Sequence, residues 1–415
     1  MEHRSVARHD PAAETGSSEE RGDSPAMEDT LNPRMRVALL ARYLQSVHYP
    51  KLEALARSPE LELWHLAPRA WTDVLRSYTL EPAKADTYSL LPLKTIGKHD
   101  IHRFCYWPPD AGLLKVRPDI IHIEEEPDSV AALQAAVIRR VLLPRARLIL
   151  FTWQNIRRKR GAVPEMVARL TLRSADYVIA GNREAEAVLR QQGYRGPTSV
   201  IPQLGVSTET YRPRQPDDTA LDLGLSGFVV GYVGRFVPQK GVDTLLEAVA
   251  GTGSGVSLLL VGGGPMEAQL RVRAQQPDLA GRVVIAPSVP HRQVPRYLNA
   301  MHALALPSRT TADWKEQFGH VLIEAMACGT PVIGSASGAI PEVIGETGLL
   351  FPEGDIAALR ACIERLRSDP ALAAGLTRAG HDRVCQCYTH QAIAEQTIQV
   401  YRAVCQQPRQ GGGDG

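Results

Sequence analysis

From Met35 onward, short apolar runs alternate with segments whose apolar positions recur every three or four residues, the pattern of a parallel sheet covered by helices. In the first half this predicts strands at 37–40, 120–123, 148–151 and 177–180, with helices over 130–143 and 184–191. Turn signals such as Arg117-Pro118-Asp119 lead into the strands, so 34–202 reads as one doubly wound domain. Residues 203–218, with Pro213, Pro216 and other turn formers, read as a hinge. The pattern then restarts, with strands at 228–233, 256–261, 283–286, 303–306, 332–335 and 349–351 and helices near 355–367 and 390–401. That gives a second doubly wound domain over 219–388 and a last helix within 389–408, a candidate to cross back to the first domain. Two such domains turn their strand C-termini, and so their ligand loops, into a shared cleft.

Residues 1–33 carry Glu, Asp, Ser, Gly and Pro with almost no large apolar groups, and 409–415 are mostly Gly; both read as disordered tails. The length, 415 residues, suits two domains, and a net charge of +2 gives no strong overall field, so nucleic acid is not an expected partner. The six cysteines are scattered, and Cys385 and Cys387 have no second pair with which to hold zinc. They read as reduced thiols of a cytoplasmic protein. No run approaches the ~20 apolar residues of a spanning helix, and the N-terminus lacks a signal-peptide core, so the chain is not expected to be integral to a membrane.

The first chemical signal is the run Gly231 to Gly241, a strand leading into a loop in which Gly234 and Gly241 let backbone approach a ligand. Arg235 and Lys240 could converge there on one dianion, or be two solvated cations beside a turn. The second is Glu316-Gln317-Phe318-Gly319-His320, followed by a helical run from Val321 to Cys328 that Gly329 closes. The helix start at Phe318, Gly319 and His320 makes an anion site of backbone amides, where Gly319 removes a side chain that would block a phosphate. Glu316 precedes the helix and Glu324 lies a turn inside it, tilted back toward its start. One carboxylate could hold a transferred sugar and the other a ribose, unless both belong to a solvated helix with capping acids.

Residues from about 200 to 404 resemble the retaining family 4 glycosyltransferases of GT-B fold. The resemblance rests on the Gly234-Arg235 to Lys240-Gly241 loop, Val261 to Pro265, Glu316 and Glu324 with seven residues between them, Glu324-Ala325-Met326-Ala327, and Ile340 to Ile344. It implies that Gly234, Arg235, Lys240 and the amides of Phe318, Gly319 and His320 bind the donor diphosphate. It also implies that Glu316 engages the donor sugar, Glu324 holds the ribose, and Ser288, Val289 and Pro290 line the base. The implied partners are a nucleotide diphosphate sugar and a hydroxyl acceptor, a glycan or a lipid-linked one. The implied reaction retains anomeric configuration.

The N-terminal half matches less tightly. Where many members carry His-x-His-Glu, this chain has His122-Ile123-Glu124-Glu125, which makes Glu124 the candidate to assist the acceptor and His122 a packed, hydrogen-bonded residue. Trp153, Gln154 and Asn155 follow a strand and suit an acceptor, or form a simple helix-start turn. Arg157-Arg158-Lys159-Arg160 reads as a solvated face, or as a contact to an anionic membrane at its inner surface. No Asp-x-Asp metal motif occurs in a suitable loop, so neither a metal nor a cofactor is expected, with Arg235, Lys240 and the helix start in the metal's place. The rival readings are a GT-B phosphorylase, a nucleotide-sugar epimerase, and a non-catalytic nucleotide-sugar-binding subunit.

Overall fold

The computed structural model describes residues 34–72, 77–82, 87–97, 100–158, 161–214 and 223–407. The expected tails, residues 215–218 of the expected hinge, and Lys159 and Arg160 lie outside these.

Sixteen strands are seen among the described residues: β1 (Met35–Leu40), β2 (Leu61–Pro68), β3 (Ala70–Thr72), β4 (Ser77–Thr79), β5 (Ser89–Ile96), β6 (Cys105–Trp107), β7 (Ile120–Ile123), β8 (Arg147–Thr152), β9 (Tyr177–Ala180), β10 (Thr198–Val200), β11 (Phe228–Arg235), β12 (Val256–Gly263), β13 (Val283–Ala286), β14 (Ala303–Leu306), β15 (Val332–Ser335) and β16 (Leu349–Phe351). The N-terminal sheet has the order β10-β9-β8-β7-β1-β2-β5-β6, parallel except where β6 runs against β5. The C-terminal sheet, β13-β12-β11-β14-β15-β16, is parallel throughout. In both, order reverses beside the first strand of the half, so the loops after β1, β7, β11 and β14 open at a switch point. The strands are apolar on both faces because helices cover both: β7, β9 and β14 are buried along their whole length.

Each predicted strand is found, most within a residue or two of its expected ends, but β2 to β6 and β10 are additional. The helix expected over 130–143 ends at Val141, because Pro144 disfavours helical backbone at Leu143.

The last helix, His390–Gln406, starts on the Thr389 hydroxyl, which accepts from the Ala392 amide at 3.0 Å. Its buried face, including Ile393, Tyr401 and Val404, shares one core with Leu39 of β1 and with Leu52 and Leu55 of the helix Tyr49–Ala56. Each such side chain, fully buried, stabilises the join by roughly 1.5–3 kcal/mol. The chain therefore passes between the halves twice. The passes are tied where the Val206 amide donates to the Tyr388 carbonyl at 2.9 Å.

Candidate functional site

Lys240 closes the short helical turn Pro238–Lys240 after β11, and its Nζ reaches Glu316 Oε2 at 2.5 Å. The Ser308 hydroxyl, just beyond β14, donates to the same oxygen at 2.8 Å. The Lys240 ammonium also lies 5.1 Å from the Trp314 ring centroid. Glu316 is held from both halves: its carbonyl accepts from Asn155 Nδ2 at 3.1 Å and from the Ala339 amide at 3.0 Å. Gly338 permits the second contact. Its φ is +53°, and a Cβ there would stand 2.1 Å from the Glu316 carbonyl oxygen.

Lys240 and Glu316 wall a cavity of about 310 Å³ together with Trp153, Gly234, Phe318, Gly319 and His320. The helix His320–Ala327 begins at this cavity; the Leu322 amide donates to the Gly319 carbonyl at 2.8 Å, and the His320 and Val321 amides ahead of it lie at the helix's positive end beside the cavity wall. Gly319 also answers a backbone need: its φ is +79°, and a Cβ there would stand 2.7 Å from Leu306 Cδ2, another residue of the cavity wall. Arg235 is exposed and does not line the cavity, so the two expected cations do not converge here; Lys240 alone of the pair faces it.

Glu324 opens onto a second cavity of about 720 Å³, whose walls come from both halves and include Ser46, Glu53, Tyr211, Pro290 and His291. Its buried carboxylate lies 3.0 Å from His291 Nε2. The hydrogen bond to Glu324 raises the His291 pKa above its ordinary value, against the effect of partial burial. Tyr211 Oη lies 2.7 Å from the other ring nitrogen. Of the expected base-lining residues Pro290 lines this cavity, while Ser288 is exposed and Val289 half-buried beside it.

On the opposite edge, Glu124 follows β7 and is sealed. Its carboxylate pairs with Lys51 and Tyr43, accepts from Gln203 Nε2 at 3.0 Å, and has no exposed side-chain surface. Burial pushes its pKa up, but Lys51, His122 and the hydrogen bonds outweigh burial and hold it below the ordinary value. The expectation that Glu124 assists an acceptor is thereby corrected: its lone pairs are occupied and no solvent path reaches them. His122 is buried, 2.8 Å from Tyr401 Oη, and burial lowers its pKa to about 4. The next acid, Glu125, is tied to Arg42 at 2.8 Å.

Trp153 and Asn155 bridge the halves. The Trp153 indole donates to Gln203 Oε1 at 2.9 Å, its carbonyl accepts from Gln317 Nε2 at 3.1 Å, and its ring lies 5.8 Å from Phe318. Gln154 and Asn155 line a third cavity of about 210 Å³ with Glu126 and Gln317. Arg157 and Arg158 donate to the carbonyls of Gln191 and Asp313, at 3.4 and 2.5 Å. The sequence reading missed Lys51, Ser308 and Gly338. A signal existed for Lys51, a lysine on the line of Leu55 along an otherwise apolar helix face.

Residues 215–383 match the family described as "Glycosyl transferases group 1". The chain is 32% identical over 275 residues to the D-inositol 3-phosphate glycosyltransferase of Segniliparus rotundus, a match spanning 60% of this chain and 58% of that protein. It thus spans less than two thirds of that relative. It is 30% identical over 307 residues to the 2-deoxystreptamine N-acetyl-D-glucosaminyltransferase of Streptomyces fradiae, spanning 67% of this chain and 72% of that protein. Among solved structures, the sucrose-phosphate synthase of Thermosynechococcus elongatus superposes with a TM-score of 0.67 at 25% identity, over 90% of this chain and 99% of that one. With two doubly wound halves, a matching C-terminal segment and a relative aligned over most of its length, the chain belongs to the glycosyl transferases group 1, family 4 glycosyltransferases of GT-B fold.

Proposed function

We propose that the chain transfers a sugar from a nucleotide diphosphate sugar to a hydroxyl acceptor, a glycan or a lipid-linked one, with retention of configuration and without a metal. The observation that carries the reading is the Lys240–Glu316 pair, 2.5 Å apart at a cavity wall beside a helix start. An arriving diphosphate competes for the Lys240 ammonium and meets the helix amides, which together stabilise the charge that builds on the leaving group. Lys240 then releases a Glu316 oxygen, which is free to accept from a hydroxyl of the sugar. Glu324, beside the second cavity, holds the ribose, and Arg235, exposed at the end of β11, adds positive charge at longer range. The departing phosphate takes the acceptor proton on the same face, so no enzyme nucleophile is needed. The working location is the cytoplasm, peripheral at the inner face of the membrane; among the described residues no helix is long and apolar enough to cross one.

Transfer from a panel of nucleotide sugars, measured in excess chelator, tests the reading. Activity is expected to persist. Loss on chelation that magnesium or manganese restores would overturn the metal-free mechanism, and interconversion of the donor sugar without acceptor would replace transfer by epimerisation.

A further inference from the structure

The helices Val130–Val141 and Ala162–Ser174 pack against each other in the N-terminal half. Ala131, Ala135, Ala168 and Leu172 fill their inward faces. Their outward faces are apolar as well. Val141 is 68% exposed, Val163 66%, Met166 54% and Val137 52%. Seven of the fifteen large apolar side chains that are exposed among the described residues fall within 130–170. Single exposed apolar residues are ordinary, but neighbouring ones on two packed helices form a patch, which marks an interaction surface.

The segment that carries this patch is strongly cationic. Residues 130–174 contain ten Lys and Arg against one acid, Glu165, a net of +9, whereas the remaining chain has 37 Lys and Arg against 44 acids, a net of −7. Four of the ten are the 157–160 run, and Asp176 neutralises two more, Arg139 and Arg147. Arg140, Arg169 and Arg173 are exposed beside the apolar positions.

We propose that this helix pair is a docking surface for an anionic lipid bilayer. Amphipathic helices with an apolar face and an Arg-rich border lie in the headgroup region, where the apolar groups enter the acyl boundary and the cations meet lipid phosphates. A second copy of the chain is a poor occupant, because a two-fold contact sets this patch against itself and brings like charges together. The docking surface is therefore the helix pair rather than the 157–160 run, whose described arginines are engaged with Gln191 and Asp313. The inference deepens the proposed function by placing the acceptor at a membrane, and only that last step rests on the transfer reading.

Co-sedimentation of the full chain with phosphatidylcholine vesicles, with and without phosphatidylglycerol, tests it. Strong partition onto the phosphatidylglycerol vesicles alone, falling with added salt, is expected. Arg140→Gln, Arg169→Gln and Arg173→Gln combined should lower that partition about 100-fold. Val163→Ser, Met166→Ser and Leu170→Ser combined should abolish it even at low salt. All six positions are exposed, so the unfolding temperatures should stay near wild type; a variant that melts early is replaced by its single substitutions. Equal binding to both vesicles, wild-type binding by both variants, or a dimer that the variants dissolve in sedimentation velocity would overturn the proposal. Calorimetric titration with nucleoside diphosphates, free of lipid, reads the donor site separately. If the wild type binds none of them, the transfer reading fails while the vesicle result still decides the docking surface.

Discussion

On the N-terminal edge of the cleft Glu124 meets Lys51 with side chains 0% and 2% exposed, whereas on the C-terminal edge Glu316 meets Lys240 with 8% and 16% exposed at a cavity wall. The two pairs look alike by geometry and differ in what can replace their partners. Around Glu124, Tyr43 and Gln203 fill the remaining lone pairs and the last helix closes over His122 through Tyr401. Around Glu316, Ser308 and Lys240 share one carboxylate oxygen, and the cavity leaves room for a ligand to take the ammonium away. Burial alone thus does not separate a structural pair from one open to a ligand; an exchangeable partner does.

The strongest way to break this comparison is Lys51→Met. Removing one member of a buried pair leaves an uncompensated charge, which costs about 3–5 kcal/mol. A loss of that size in denaturant unfolding is expected, with recovery of much of it in Lys51→Met combined with Glu124→Gln. Glu124 is held below its ordinary pKa, so its contribution is present above about 4.5 and disappears as pH falls through the lower folded value. The wild type should therefore lose stability on acidification more steeply than the double variant. Were Lys51→Met as stable as wild type, the structural role of this pair would be wrong.

Glu316→Gln sharpens the other side. A charge-assisted hydrogen bond is worth about 1.5–3 kcal/mol, so its loss at the sugar should lower kcat about 10- to 100-fold. Nucleoside diphosphate binding should survive or tighten, since Lys240 no longer has to leave a carboxylate. Abolished diphosphate binding with intact kcat would show that the two residues had been given each other's tasks.

How much of this was legible depends on the signal each element leaves. The strands β7, β9 and β14 are short apolar runs between turn signals, and they could be read because burial on both faces demands such runs. Strand β5 carries Pro92, Lys94 and Thr95 and has only Leu93 fully buried, so it left no clean run, and Pro inside a run argues against a strand. Glu316 and Glu324 could be singled out because they flank one helix start, and Lys240 because it sits in its own glycine-flanked loop, but that Lys240 meets Glu316 across 76 residues left no local signal. Lys51 and Glu124 are 73 residues apart, and their pairing depends on how the helix Tyr49–Ala56 packs between β2 and the last helix, which no local pattern encodes. The two cavities separating Glu316 from Glu324 were likewise invisible, because a helical turn divides them only once the N-terminal half supplies the facing walls.

The smallest expected effect concerns Glu324, whose partner His291 is half exposed and so is intermediate between the sealed and exchangeable cases. On the proposed reading, in which Glu324 holds the ribose before and during transfer alike, Glu324→Gln should raise the donor KM by roughly 5- to 10-fold, about 1–1.4 kcal/mol, with kcat little changed. His291 adds a pH dependence. Its pKa is raised in the folded protein by the hydrogen bond to Glu324, so the imidazolium contact stabilises the fold fully below the ordinary value near 6.5 and is lost as pH rises through the raised one. While the contact lasts, the imidazolium occupies a Glu324 oxygen that a ribose hydroxyl needs. The donor KM should therefore fall as pH climbs from about 6 to 8, and His291→Asn should flatten the profile. A KM that instead rises over that range would mean that the imidazolium itself attracts the donor, and His291 would join Lys240 as a cation of the site rather than a competitor for Glu324.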